Sequence, residues 1–261
     1  MARLWLMAAL LLLSASAARS VDPKELAKLI EGLMCQYRVE NMFSLALSIP
    51  NEEPYPLDQV INKNPGEEVK RQLREGKVYK GQRLVAATVE SGSGQREHAE
   101  YRVLNNLHFK GTNDDLLVIY SYASPCSTKC TKINGNQIII NKINDVKRKW
   151  GEEVFVFTKI FDKDKNLNKE HNVMRALKNL RSAIGPRNIF RCDVKDGSFQ
   201  CISCYDSNNQ ANQLNRFCYS DTEKSNNKEI VVDEDGWCEI RYKIINKSPG
   251  GSNKRGRMED C

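Results

Sequence analysis

Two continuous apolar segments, Asp115–Tyr122 and Glu153–Phe161, place the strongest limit on how this chain can fold. Most of their positions are apolar, which is typical of strands buried on both faces of a sheet. Segments with helical spacing of apolar residues stand before and after them, at Glu97–Leu107 and Glu170–Ile184. Strands that alternate with helices predict an α/β fold with helices on both faces of a central sheet.

Other elements are predicted from shorter patterns. We expect a helix over Glu25–Met34, a strand over Phe43–Pro50 and a loop over the proline-rich segment Asn51–Pro65. After Asn188 the pattern changes to short strands among clustered cysteines. The last segment, Asn246–Cys261, is rich in glycine, serine and charge, so we expect it to be disordered.

The first residues indicate secretion. Arg3 precedes the apolar run Leu4–Leu13, and small residues follow at Ser14–Ala18, which is the pattern of a secretory signal peptide. The run is shorter than the roughly 20 apolar residues that cross a bilayer. We therefore expect cleavage near residue 18 and no membrane contact afterwards. A secreted chain matures under oxidising conditions, where thiols pair.

The candidate chemistry lies in two short motifs. His98-Ala99-Glu100 opens a predicted helix, and Pro125-Cys126-Ser127-Thr128-Lys129-Cys130 directly follows a buried strand. One imidazole and two thiolates on one helical turn would leave the fourth position of a tetrahedral Zn²⁺ open for water, as in catalytic sites. Glu100 could then move a proton without binding the metal. The alternative is a disulfide between Cys126 and Cys130, which would leave His98 and Glu100 unexplained.

The pair of motifs resembles the H-x-E and P-C-x-x-C signature of the zinc deaminases that act on nucleobases. This chain has one extra residue between the two cysteines. Ser124-Pro125-Cys126, set between two buried strands, further resembles the AID/APOBEC-like polynucleotide cytidine deaminases. With the signal peptide, the chain is similar to their secreted members in vertebrates such as fish.

The resemblance implies a fold and a reaction. The fold is a three-layer cytidine-deaminase-like α/β domain, with a mixed five-stranded sheet flanked by helices. Zinc would be held by His98, Cys126 and Cys130. Zinc-bound hydroxide would attack C4 of cytosine to give uracil, with Glu100 as the proton shuttle, in an immune role. Tyr122, Ser124 and Phe161 are candidate substrate contacts, and the loop after Phe161 would read the flanking base.

The expected partner is single-stranded DNA or RNA, because the target atom cannot be reached inside a duplex. A formal net charge of +7 is compatible with such an anionic partner. Two other functions stay open. One is a catalytically inactive secreted protein that keeps the fold to bind nucleic acid or pathogens. The other is a deaminase of free cytidine or nucleotides.

The predicted domain organisation assigns each of the nine cysteines. Residues 1–18 form the signal peptide, 19–190 the catalytic domain, 191–245 a disulfide-rich C-terminal extension and 246–261 a disordered tail. Two cysteines bind metal, Cys261 is left over, and the other six can form three disulfides of undecided connectivity: Cys35, Cys192, Cys201, Cys204, Cys218 and Cys238. Asn246 is a candidate glycosylation site.

Overall fold

A computed structural model describes residues 21–90, 96–132, 138–147, 149–161, 169–205, 213–221, 228–232 and 238–242. Several predictions fall outside these ranges: the signal peptide, the loop that follows Phe161, the glycosylation candidate Asn246, and the tail with Cys261.

The centre of the molecule is a seven-stranded mixed sheet with strand order β2-β3-β1-β4-β5-β6-β7. Strand β4 is parallel to β5 and β5 is parallel to β6, whereas the other neighbours are antiparallel. A separate antiparallel hairpin pairs β8 with β9. The strands are β1 (Phe43–Pro50), β2 (Tyr79–Lys80), β3 (Leu84–Thr88), β4 (Asp115–Ala123), β5 (Glu152–Lys159), β6 (Ile189–Lys195), β7 (Ser198–Ser203), β8 (Lys228–Val232) and β9 (Cys238–Tyr242).

The prediction of a mixed α/β sheet is confirmed, but the prediction of five strands is wrong by two. Short β2 extends one edge of the sheet, and β7 extends the other. Strand β7 forms because Asp196 and Gly197 both have positive φ, 52° and 83°, which returns the chain on itself after β6. An Asp-Gly pair between two strands is a strong hairpin signal.

Six α-helices lie in the described ranges. They are α1 (Pro23–Tyr37), α2 (Leu57–Ile61), α3 (Gly66–Arg74), α4 (Ala99–Asn105), α5 (Ile139–Val146) and α6 (Lys169–Ile184). Helix α2 lies inside the segment Asn51–Pro65 that the prolines predicted to be loop. It forms there because Val60 is buried in the core, so packing outweighs the local preference.

The sheet separates two hydrophobic cores. Helix α1 packs on one face, where β4 contributes Val118, Tyr120 and Tyr122. Helices α4, α5 and α6 pack on the other face, where β4 contributes Leu117 and Ile119. Every residue of β4 is buried, which agrees with its continuous apolar sequence. This strand therefore carries side chains from one core to the other at successive positions.

Candidate metal centre and active site

A cluster of one histidine and two cysteines lies where β4 and β5 end. His98 immediately precedes α4, while Cys126 and Cys130 lie in the segment that leaves β4. The Nδ1 atom of His98 is 2.8 Å from Sγ of Cys130 and 3.7 Å from Sγ of Cys126. All three residues are buried, and their ligand atoms lie within 4.8 Å of one another. Both cysteines remain thiols. The cluster could hold a metal ion.

The segment with the two cysteines forms a wide turn, and this corrects one expectation. Residues 127–131 are a hydrogen-bonded turn, and helix α5 begins only at Ile139, so the two thiols do not share a helical turn. The backbone N–H of Thr131 donates to the carbonyl of Cys126 (3.2 Å), which encloses one residue more than an α-helical bond does. That wider ring accommodates the extra residue between the cysteines.

The amide of Cys130 points into the cluster. Its N–H donates to Sγ of Cys126 at 3.4 Å. Hydrogen bonds to a sulfur favour its charged thiolate form, which is the form that binds metals. The turn therefore provides both ligands and a donor that supports one of them.

Glu100 lies beside the cluster and is held by a chain of two hydroxyl groups. Its side chain is only 2% exposed, and its Oε1 accepts a hydrogen bond from Ser121 Oγ at 3.1 Å. Ser121 in turn accepts one from Ser44 Oγ at 3.2 Å. The two serines are fully buried and directly opposite each other in β4 and β1. Neither serine belongs to the two sequence motifs, although serine in an apolar strand marks a buried polar group.

Burial controls the protonation of the carboxyl group. It raises the pKa of Glu100, and the opposing effects of the His98 charge and the Ser121 hydrogen bond do not cancel the increase. For His98, burial acts to lower the pKa, but the hydrogen bond to Cys126 and the charge of Glu100 outweigh it, and the pKa is raised. A carboxyl group with a raised pKa exchanges its proton closer to neutral pH, as acid–base chemistry requires.

Arginine and asparagine side chains fix the elements that carry the cluster. Buried Arg102 of α4 donates to the carbonyls of Thr88 (2.7 Å) and Gly76 (2.8 Å). The wide turn is attached to α6, because Arg175 donates to Ser127 Oγ at 3.1 Å and Asn179 donates to the carbonyl of Thr131 at 2.9 Å. A helix as short as α4 depends on such tertiary contacts.

The structure separates the three candidate substrate contacts. Ser124 and Phe161 lie together at the edge, because Ser124 Oγ accepts a hydrogen bond from the backbone N–H of Phe161 at 3.0 Å. Tyr122 is not brought to the cluster. Its side chain lies in the core on the α1 side of the sheet and stacks on Phe43 with a centroid distance of 5.9 Å. Tyr122 is 3% exposed, so its ring has no free face on which a base could stack.

Two disulfides are placed among the six cysteines predicted to pair. Cys192 is joined to Cys201 across the β6–β7 hairpin, and Cys204 is joined to Cys218. Cys35 in α1 is also disulfide-bonded. The side chain of Cys238 lies outside the described part of the structure, so the third pairing stays a prediction. Strand β9, which begins at Cys238, lies next to α1.

A sheet with helices on both faces, together with a His-Cys-Cys cluster and a buried glutamate at the end of its parallel strands, defines the class of AID/APOBEC-like deaminases. Residues 23–221 match the family described as Secreted Novel AID/APOBEC-like Deaminase 1, and the chain belongs to this family. A comparison with curated proteins gives no significant match. The family match confirms the resemblance found in the sequence.

The expected localisation is also confirmed. The protein is secreted, as its family is, and the disulfides are those of an oxidising compartment. Within the described ranges, every helix is too short or too polar to cross a membrane.

Proposed function

We infer that this protein is a zinc-dependent deaminase that converts cytosine to uracil in single-stranded nucleic acid. The observation that carries the inference is the convergence of His98, Cys126, Cys130 and Glu100 in one buried site. A structural role would explain the cysteines as a disulfide, but they are thiols directed at an imidazole. Family membership adds support for a deamination reaction.

The donor set fits zinc. One nitrogen and two sulfur ligands suit a borderline-soft ion with tetrahedral preference, and three protein ligands leave one position open. When bound there, zinc supplies a Lewis acid that lowers the pKa of a water molecule toward neutrality. The wide turn holds the two thiolates, and the residue before α4 holds the imidazole.

Glu100 is the proton carrier in this proposal. Its carboxylate takes a proton from the water that adds to C4 of cytosine, and it returns protons to the ring and to the departing amino group. The balance is cytosine plus water to uracil plus ammonia. The Ser44–Ser121 hydroxyl chain holds Oε1 in one position during both transfers. The raised pKa lets the same group act as base and then as acid.

Single-stranded nucleic acid is the proposed substrate because C4 is accessible only in a base that has left the stack. The formal net charge of +7 supports an anionic partner. For a secreted protein this substrate is extracellular, and we extend the proposal to a role in immune defence against foreign nucleic acid.

One experiment tests the proposal on the protein secreted by cells that express the full chain. Its zinc content is measured, together with deamination of free cytidine, single-stranded DNA and single-stranded RNA. We expect about one zinc per chain and turnover of a single-stranded polymer. Glu100→Gln should retain the metal and lose turnover.

Each other outcome names a different function. Bound zinc without turnover of any substrate would indicate a catalytically inactive nucleic-acid or pathogen-binding protein. Turnover of cytidine alone would indicate a nucleoside deaminase. Absence of zinc, with Cys126 and Cys130 oxidised to each other, would contradict metal catalysis altogether.

A further inference from the structure

The side chains of Arg38 and Lys159 both contact the ring of Tyr122, at the edge of the sheet where the candidate active site lies. The guanidinium carbon of Arg38 lies 5.6 Å from the centre of the Tyr122 ring, and Nζ of Lys159 lies 5.3 Å from it. Phe43 stacks on the same ring. Cations at such distances from an aromatic ring are attracted to its face. The buried ring therefore fixes two long side chains, one from the end of α1 and one from the end of β5.

These two cations lack an acidic partner among the residues that the structure describes. The salt bridges within the described ranges involve other lysines and arginines. Two like charges that face a single ring repel each other. Such a pair attracts an anion from solution, more strongly because the ring and the adjacent core lower the local dielectric.

A cavity of about 280 Å³ opens beside Arg38, one of the two cations. It is lined by Arg38, Val39, Glu40, Asn41, Leu73 and Arg74. Arg74, at the end of α3, adds a third cation, and it forms no salt bridge within the described ranges. Glu40 is the only carboxylate in this lining. The volume is slightly below the range of pockets for drug-sized ligands, and it suits a phosphate with its sugar.

Neighbouring residues of β4 contact the two cations and Glu100. Tyr122 directly follows Ser121, whose hydroxyl group donates to Glu100. Because successive side chains of a strand point to opposite faces, the hydroxyl group that contacts Glu100 lies on one side of β4, and the Tyr122 ring that both cations contact lies on the other. A ligand that contacts both the cations and Glu100 must carry an anionic group as well as the target base, which a free nucleoside lacks and a polynucleotide has beside every base.

We propose that Arg38, Lys159 and Arg74 bind a backbone phosphate of the single strand whose target base lies at Glu100. The proposal rests on the proposed function and adds to it the residues that bind the backbone of the polymer substrate. Tyr122 then acts as the support of this phosphate site and not as a base-stacking platform.

The first test measures binding without turnover. The secreted protein carrying Glu100→Gln is titrated with a labelled 15-nucleotide single strand containing one cytosine, from 50 to 200 mM salt. Arg38→Gln with Lys159→Gln should raise Kd at least tenfold and reduce the salt slope by about 1.4, because each phosphate contact contributes roughly 0.7 for single strands. Arg74→Gln, on an exposed helix end, should raise Kd about threefold and cannot be attributed to misfolding.

A matched control removes the same charge elsewhere. Lys110 and Lys149 are exposed and precede β4 and β5, at the opposite end of these parallel strands. Lys110→Gln with Lys149→Gln should leave Kd and the salt slope nearly unchanged. An equal loss in this control would show that net charge alone attracts the strand, and would overturn the proposal.

The second test separates this proposal from the proposed function. With Glu100 intact, the Arg38 and Lys159 double variant should keep its kcat/KM on cytidine and show an increased KM on the oligonucleotide. If the unmodified protein turns over none of the substrates, the proposed function is contradicted. The binding experiment does not depend on turnover and still decides whether the phosphate site exists. An unchanged Kd in both the double variant and Arg74→Gln would overturn the phosphate site. Displacement of the strand by poly-L-glutamate at equal charge concentration would indicate an acidic protein ligand and also overturn it.

Discussion

The two ends of the parallel strands β4 and β5 use buried polar groups in different ways. At the end where the strands begin, polar groups bind each other: Trp150 Nε1 donates to Ser48 Oγ (2.9 Å), Ser48 donates to Asp115 (3.2 Å), and Asp115 pairs with Arg83. At the end where the strands finish, His98, two thiols and Glu100 converge on one point instead. The first arrangement stabilises the sheet, and the second is available for chemistry.

The two ends differ in whether their buried polar groups satisfy one another by hydrogen bonds and ion pairs. Asp115 is satisfied by two neighbours on adjacent loops and strands, so it contributes to holding β1, β3 and β4 together. The thiols and the imidazole are all groups that bind metal ions. Without a metal their contacts would stabilise the fold little, because thiols form weak hydrogen bonds. Buried polar groups in one sheet therefore indicate function only where their chemistry converges.

The largest expected effect comes from removing one of the proposed metal ligands. Cys126→Ser should abolish zinc binding and lower deamination by at least 1000-fold, because in the proposed function the metal supplies the attacking water. Metal content and product formation are the measurements. Cys204→Ser with Cys218→Ser, which removes a disulfide and leaves His98, Cys126 and Cys130 unchanged, is the control and should retain zinc. A zinc-replete Cys126→Ser protein with normal turnover would contradict the assignment of the cluster.

Removing a carboxylate at the opposite end should act on stability alone. Asp115→Ala leaves Arg83 and Ser48 without their shared partner, and we expect unfolding to become about 2 kcal/mol easier. Urea denaturation measures the change, while zinc content serves as the second readout. If zinc were lost from the folded variant, the two ends of the strands would not be independent.

A smaller effect is expected from the hydroxyl group that holds Glu100. Ser121→Ala should lower kcat about tenfold and leave KM unchanged, because the carboxylate loses a fixed position while the substrate surface is intact. Ser44→Ala, which contacts only Ser121 in this chain of hydroxyls, should have a weaker effect in the same direction. An effect on KM with kcat preserved would show that Ser121 does not position the proton carrier.

The smallest expected effect is a pH dependence at the beginning of β5. Burial, and the charge of Glu153, raise the pKa of Glu152 to about 7, although a hydrogen bond with Asn51 opposes the shift. Because the folded pKa of Glu152 lies above its unfolded pKa, its contribution to the stability of the folded state is greatest below pH 4.5. This contribution is lost as the pH rises through 7. Glu152→Gln should therefore add about 1 kcal/mol at pH 8, allowing for partial exposure, and nothing at pH 4.5.

Thermal unfolding at the two pH values provides the measurement for Glu152. Glu153→Gln, at the adjacent position, is the control and should produce a smaller gain. If Glu152→Gln stabilised the protein equally at both pH values, ionisation of Glu152 would not be what destabilises the folded state.

The features that could be predicted from the sequence are determined by residues close together in the chain or by residue types with narrow chemistry. Strand β1 has the predicted bounds Phe43–Pro50, and the His98, Cys126, Cys130 and Glu100 group was found by motif spacing alone. Both depend on residues close in the chain or on residue types with narrow chemistry. The same is true of the mixed sheet, whose buried strands have a distinct composition.

Some features could not be predicted because they depend on which face of the sheet a side chain points to. In a strand that is apolar throughout, alternation gives no signal, so the side of the sheet occupied by Tyr122 could not be assigned. The same limit hid the pair Ser44 and Ser121, which meet only because β1 and β4 are in a particular register. Helix α2 was missed because tertiary packing decided it. Strand β7 lies in the segment expected to form short strands, and only its place in the central sheet was missed.

The disulfide between Cys192 and Cys201 has a consequence for the lifetime of the protein outside the cell. It joins residues directly opposite each other in β6 and β7, and β7 is the outermost strand of the sheet. An outer strand that separates offers an extended segment, which is the form proteases and aggregating chains bind. The covalent bond limits this opening, so the edge is protected for as long as the surroundings keep the bond oxidised.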